Sequence, residues 1–159
     1  MKQISWKKRF KIWLYNFYPP YLGAGIRITQ IATDLSFFQV EMKLKFYNKN
    51  YVGVHFGGSL YSMCDPFFML ILLEQLGSDF IVWDKVGSMN FVKPGKGKVT
   101  ATFSIPEEKI QKIREEIETK RKGEFLFTTN VLDEENEIVA TLEKTIYIRK
   151  RGRLPIQNV

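Results

Sequence analysis

Two adjacent glycines, Gly57 and Gly58, open an apolar segment, and a carboxylate, Asp65, follows the second of them by seven residues. At the start of a helix the first backbone N–H groups lack intrahelical partners and carry partial positive charge. Glycine lets a ligand oxygen approach them with no Cβ in the way. Such a pair suits the oxyanion that develops when a carbonyl is attacked. Seven residues is about two helical turns, roughly 10 Å of rise, so Asp65 falls on nearly the same face of a continuous helix. A carboxylate in an otherwise apolar helix needs a reason.

Each of these residues also has a plainer reading. Asp65 precedes Pro66, and Asp-Pro is a good N-cap and first-turn pair, so the helix can instead begin there. If it begins near Gly58, Pro66 removes one hydrogen bond to Ser62 and bends the axis. Gly57 and Gly58 also suit close packing of a helix start on a sheet, and Asn50 stands where turns commonly place asparagine. His55, the single histidine, fits a structural role. Ser59 and Ser62 lack a Gly-x-Ser-x-Gly elbow, and Cys64 reads as buried packing, so no Ser-His-Asp triad is expected.

The elements that must position these groups follow from periodicity. Trp6, Phe10, Trp13, Leu14 and Phe17 fall at offsets 0, 4, 7, 8 and 11, the stripe of an amphipathic N-terminal helix within residues 1–20 that Pro19 and Pro20 end. Its aromatics are expected to be covered by the domain rather than by lipid. Gly25 to Ile31 reads as a strand, and Phe37 to Phe46 alternates apolar and polar residues as a strand with one wet face. A turn-rich stretch, 48–53, leads to the apolar segment that runs to Leu76 and, if helical, has no clean polar face and must be buried. Its longest apolar run, Pro66 to Leu73, is far shorter than the roughly 20 residues of a membrane span. Strands are expected at 80–86, 88–92 and 98–105. A surface helix follows from Pro106 to about Arg121, with Ile110, Ile113 and Ile117 as its apolar stripe. Strands at 125–132 and 137–149 close the chain, with a loose basic tail at 150–159.

With 159 residues, 45% hydrophobic and 26% charged, the chain suits a single globular domain, residues 1–159, and neither a disordered chain nor a membrane bundle. One cysteine and one histidine exclude an intrachain disulfide and an ordinary structural zinc site, and point to a reducing, cytoplasmic setting. Basic residues at 2, 7, 8 and 9 interrupt the opening ten residues, so no secretion signal is expected. The net charge of +7 suits polyanionic partners, among them nucleic acid, an anionic membrane surface or coenzyme A. No aromatic-basic surface motif accompanies the charge, and no nucleic-acid partner is expected.

Asn50, Gly53, Gly57, Gly58 and Asp65 match the spacing of the PaaI-type hotdog acyl-CoA thioesterases: Asn, Gly three on, His-Gly-Gly three beyond, and an acid seven after the second Gly. The motif spans about a tenth of the chain, and the order of elements extends the resemblance from Gly25 to Arg149. Asn16 to Gly25 and the Asp65-Pro66-Phe67 step resemble the DUF4442 family in particular. The resemblance implies an α+β hotdog fold, a curled antiparallel sheet wrapped around one long central helix, assembled as a homodimer or dimer of dimers. It implies hydrolysis of an acyl-CoA thioester with coenzyme A as part of the substrate and no separate cofactor or metal. Asp65 would be base or nucleophile, Gly57 and Gly58 the oxyanion donors, and Asn50 would orient water or the acid. Gly53, His55, Phe56 and Ser59 would border the substrate. Amides and acid lie too far apart along one helix to address one carbonyl carbon, so the site is expected to be shared between two chains. Where the pattern has histidine this chain has Phe56, and His55 one place earlier points the opposite way on an extended approach. That departure supports the alternative of a non-catalytic acyl or acyl-CoA binding protein.

Overall fold

The structure, a computed structural model, describes residues 5–152. Alternation in the second predicted strand becomes β2 (Phe37–Lys43), whose Phe38, Val40 and Met42 are fully buried while the intervening side chains face outward. β2 lies between β1 (Ile26–Ile31) and β4 (Lys98–Ser104), antiparallel to both. β5 (Lys122–Leu132), β6 (Ile138–Lys150) and β3 (Phe80–Phe91) complete one six-stranded antiparallel sheet in the order β1-β2-β4-β5-β6-β3.

β2 stops at Lys43, short of the predicted Phe46, because buried Asn48 takes over the backbone there. Its side chain accepts from the Lys45 N–H (2.7 Å) and donates to the carbonyls of Ala24 (2.8 Å) and Lys43 (3.0 Å). Phe46, beyond the strand, is 85% exposed. The stretch 80–92, read as two strands, forms the single strand β3 through Phe91, with an irregularity between Asp84 and Val86. Gly87 does not break it. A Cβ there would lie 2.1 Å from the Tyr61 hydroxyl oxygen and 3.1 Å from the Lys144 Cδ, so its glycine makes room for two side chains.

The central helical segment comprises α3 (Gly57–Ser62) and α4 (Phe67–Leu76), joined by a turn at Met63–Pro66. Pro66 has no N–H to continue the ladder. The chain tightens there, with the Cys64 N–H bonded to the Tyr61 carbonyl, and the helix resumes when the Leu70 N–H reaches the Pro66 carbonyl at 2.9 Å. The segment is buried as its composition requires: Phe67 packs between Phe38 and Phe103, and Phe68 between Phe103 and Phe127, with centroid separations of 4.8–5.3 Å. α5 (Glu107–Lys120) seats Ile110, Ile113 and Ile117 against the rest of the core. Burying three isoleucines at about 1.5–3 kcal/mol each stabilises a helix that would be marginal alone. Arg114 on α5 donates to the carbonyls of Gln75 (2.9 Å) and Leu76 (3.2 Å), placing a cation on the negative end of α4.

At the other edge, α1 (Trp6–Trp13), a 3-10 turn (Leu14–Phe17) and α2 (Pro19–Ala24) lead into β1. Pro19 and Pro20 close the first helical stretch as expected and also form the first turn of the next. Asn16 docks this region on the sheet edge: its Oδ1 accepts from the Ile28 N–H (2.7 Å) and its Nδ2 donates to the Ile28 carbonyl (3.3 Å). The expected covering of the aromatic stripe is not what the fold produces. Ile12 is the buried residue of α1, whereas Trp6, Phe10, Trp13, Leu14 and Phe17 are exposed. The ties of Arg9 to the Ile31 carbonyl, Lys8 to Glu74 and Asn16 to β1 fix the helix by its other side. Of the tail expected beyond Lys150, only Arg151 and Gly152 lie among the described residues.

Candidate functional site

The loop before α3 is assembled from its own residues. Asn50 Oδ1 accepts from the N–H groups of Val52 and Val54, both at 3.1 Å, and the Asn50 N–H donates to the Val54 carbonyl at 2.8 Å. Gly53 supplies the left-handed residue of this turn, with φ +82°. The side-chain oxygen of Asn50 is thus committed to its loop rather than aimed at a ligand.

His55 is buried. Its N–H donates to the Gly95 carbonyl at 3.0 Å, and its Nε2 lies 3.1 Å from the Gly97 carbonyl, which makes that nitrogen the protonated one. Burial holds its pKa below the usual imidazole value, opposed by the Gly97 carbonyl. A neutral, buried ring pinning the 95–97 turn is its placement.

Phe56 occupies the N-cap position of α3 in an extended conformation, and no side chain caps the helix. Its carbonyl accepts from Ser59 (2.9 Å) and Leu60 (3.1 Å), which leaves the N–H groups of Gly57 and Gly58 without a hydrogen-bond partner among the described residues. Both glycines sit close under aromatic rings. A Cβ on Gly58 would lie 2.5 Å from the Phe56 ring, and one on Gly57 would lie 2.9 Å from the Phe91 ring. Both rings are more than half exposed, and so border the two free amides as a partly open apolar rim. Ser59 follows in the first turn of α3.

Asp65 does not cap α4. The N-cap position belongs to Pro66, with no side-chain hydrogen bond. Its Oδ1 instead accepts from the Lys144 Nζ at 2.6 Å, and Lys144 also reaches Asp84 Oδ2 at 2.9 Å. Lys144 is 1% exposed and Asp65 46%, so one cation is buried between two carboxylates of which Asp65 is the accessible one. Burial pulls the Lys144 ammonium toward neutrality, but its two carboxylate partners prevail and raise its pKa above the usual lysine value. Burial pushes Asp84 up, countered in part by Lys144. Tyr61 presents its ring to the same ammonium at 5.5 Å. Cys64 is enclosed in the core, and burial followed by the Asp65 charge raises its thiol far beyond thiolate chemistry at neutral pH.

Lys144, Asp84, Tyr61 and Gly87 escape the motif reading, although strand parity carries a signal for two of them. Ala140, Leu142, Ile146 and Ile148 are the inward residues of β6, and Lys144 stands on that same parity. Asp84 likewise continues the inward series Phe80, Val82 of β3. A charge at an inward strand position demands a partner, and these two supply each other's.

A curled six-stranded antiparallel sheet around a central helical segment is the hotdog fold of thioesterase-like proteins. The chain belongs to the family described as domain of unknown function DUF4442, whose model matches residues 7–148. Among solved structures it is similar to a protein of unknown function from Pseudomonas aeruginosa described as a probable thioesterase, at 18% identity over 94% of this chain and 100% of that one, with a TM-score of 0.78. It is similar to a thioesterase from Haemophilus influenzae at 16% identity over 94% and 93% of the two chains, TM-score 0.64. It also resembles the E. coli PaaI protein of the phenylacetic acid degradation operon, at 19% identity over 92% and 93%, TM-score 0.61. No curated protein matches it. Among the described residues no helix is long and apolar enough to cross a membrane, and no group of His, Cys, Asp or Glu is arranged to hold a metal.

Proposed function

We propose that the protein hydrolyses an acyl-CoA thioester, with Asp65 as the general base or nucleophile and the Gly57 and Gly58 amides as oxyanion donors. The observation that carries this reading is the half-exposed Asp65 carboxylate, kept paired to a buried ammonium in a hotdog fold that also leaves two helix-start amides free. In the general-base form Asp65 takes a proton from water as the water oxygen bonds to the thioester carbon. The carbonyl oxygen becomes an oxyanion held by the amides, the C–S bond breaks, and the thiolate of coenzyme A takes up the proton. Lys144 then acts through Asp65, orienting the carboxylate. The reaction so written uses water and the thioester, with no metal or redox cofactor.

The amides open α3 and Asp65 lies in the turn beyond its far end, so the two groups of one chain are separated by the length of that helix. A homodimer in which one chain gives the amides and its partner the acid is part of the proposal, as is a dimer of dimers. Asn50 and Gly53 shape the approach to the amides, with Phe56 and Ser59 bordering the substrate and His55 behind them. Cys64, free and buried, fits a cytoplasmic setting.

One observation favours a second reading, a non-catalytic acyl or acyl-CoA binding protein: Phe56, in place of the motif histidine, lays its ring beside Gly58. Asp65→Asn separates the two. Asn retains an oxygen for Lys144, and Asp84 keeps that ammonium paired, while the base and nucleophile are lost. Hydrolysis of a panel of acyl-CoAs should fall by about two orders of magnitude or more with little change in melting temperature. Wild-type protein that binds acyl-CoA with no turnover at all would establish the binding reading, and Phe56→His would then be tested for gained hydrolysis.

A further inference from the structure

The first acidic residue of the chain is Asp34, whereas Lys2, Lys7, Lys8, Arg9, Lys11 and Arg27 precede it. Almost the whole net charge of +7 therefore resides in the first fifth of the sequence. From Ser5 onward this segment lies at the β1 edge of the sheet and displays most of its aromatic residues outward. Trp6 is 70% exposed, and Phe10, Trp13 and Phe17 form a run of exposed rings with centroids 5.8 and 5.3 Å apart. Tyr15 and Tyr18, both exposed and 6.2 Å apart, continue the display, with buried Tyr21 6.0 Å behind Tyr18 and exposed Leu22 and Tyr47 beyond it. The hollow beside Leu22 and Tyr47 is bordered by Arg27, Lys43, Lys45 and Lys98. Lys43 and Lys98 face each other across β2 and β4, a like-charge pair that an anion would relieve.

Ordinary docking would turn an apolar stripe inward, but here Ile12 and Asn16 anchor the segment and the stripe is left out. Lys7 and Lys11 are exposed beside it. The acids near this face are few and engaged: Glu74 holds Lys8, and Glu41 lies 3.7 Å from Lys98. Exposed tryptophan, phenylalanine and tyrosine flanked by lysine and arginine are what an anionic bilayer surface binds: rings enter the headgroup boundary, and cations meet lipid phosphates.

We propose that the α1–α2 face of this protein, with the Tyr47 loop beside it, seats the molecule peripherally on an anionic membrane surface. This proposal is independent of the thioester chemistry. The attraction combines aromatic burial with lysines that each tighten binding about five-fold near a charged leaflet.

Sedimentation of the full-length protein with large unilamellar vesicles tests it, using phosphatidylcholine alone against phosphatidylcholine with phosphatidylglycerol. Binding should be at least tenfold tighter to the anionic vesicles, weaken as sodium chloride is raised, and be accompanied by a blue shift of tryptophan fluorescence. Lys7→Glu with Lys11→Glu should weaken binding by roughly thirty-fold or more. Trp6→Ser with Phe10→Ser should abolish the fluorescence shift. Neither pair touches Ile12 or Asn16, so unchanged circular dichroism and melting temperature confirm that the variants fold. Acyl-CoA turnover measured without vesicles reports separately on the proposed activity. Equal binding to neutral and anionic vesicles, or none to either, overturns the proposal. So does light scattering that shows Trp6→Ser with Phe10→Ser dissociating an assembly, since a second copy would then cover the face. Loss of vesicle binding to competing nucleic acid at low salt, with tighter nucleic-acid affinity, would overturn it in favour of nucleic acid.

Discussion

The loop that enters α3 and the turn that leaves it flank the same six-residue helix, yet they are held in different ways. In the entering loop, Asn48 and Asn50 bond backbone groups mostly within a few residues, and Gly53 supplies the left-handed turn. In the leaving turn, Asp65 is fixed by Lys144, 79 residues away, which is shared with Asp84. A loop folded by local hydrogen bonds, and tied by His55 to the 95–97 turn, holds the free amides, whereas a long-range ion pair holds the carboxylate. The amides therefore depend mainly on the loop's own hydrogen bonds and the 95–97 turn, and the carboxylate depends on the register of β3 against β6.

The largest effect should come from breaking the long-range side. Lys144→Met leaves the half-buried Asp84 without its cation and should cost about 3 kcal/mol in urea unfolding. Combining it with Asp84→Leu removes both charges of the pair, and most of that loss should be recovered. A double variant as unstable as the single one would mean that packing, rather than charge, sets the cost.

An intermediate effect is expected on the local side. Asn48→Ala deletes one acceptor and two donor contacts beneath β2 and should cost about 1–3 kcal/mol. Its damage should be confined: hydrogen exchange is expected to quicken from Lys43 to Asn50 while the amides of β6 stay protected. Exchange that quickens equally in β6 would erase the contrast between the two regions.

The smallest effect is a pH dependence carried by His55. Its folded pKa lies below the ordinary imidazole value, so its stabilising contribution is full above about pH 6.5 and is lost as pH falls through the folded pKa. Stability measured from pH 8 to pH 4 should therefore show a decline that His55→Gln removes, leaving only the carboxylate titrations. An unaltered profile in the variant would show that the ring is not protonated on unfolding.

Much of this architecture is legible in the chain because its causes are short-range. Alternation at Phe38, Val40 and Met42 determines β2, the isoleucine spacing determines α5, and the apolar circumference of 60–76 determines a buried central segment. Pro66 forces an interruption through the hydrogen bond it cannot make. Gly57 and Gly58 open a helix with free amides, as a glycine pair at the start of an apolar segment suggests. What the chain could not show by itself is which competing use each polar group takes, because that depends on neighbours distant in sequence. Asp65 had an equally sound local use as a cap, and only the pairing of β3 with β6 brings Lys144 beneath it. The N-terminal stripe had the periodicity of a docked helix. Asn16 and Ile12 decide instead which side meets the sheet, because backbone hydrogen bonds at an open strand edge are directional and apolar contact is not.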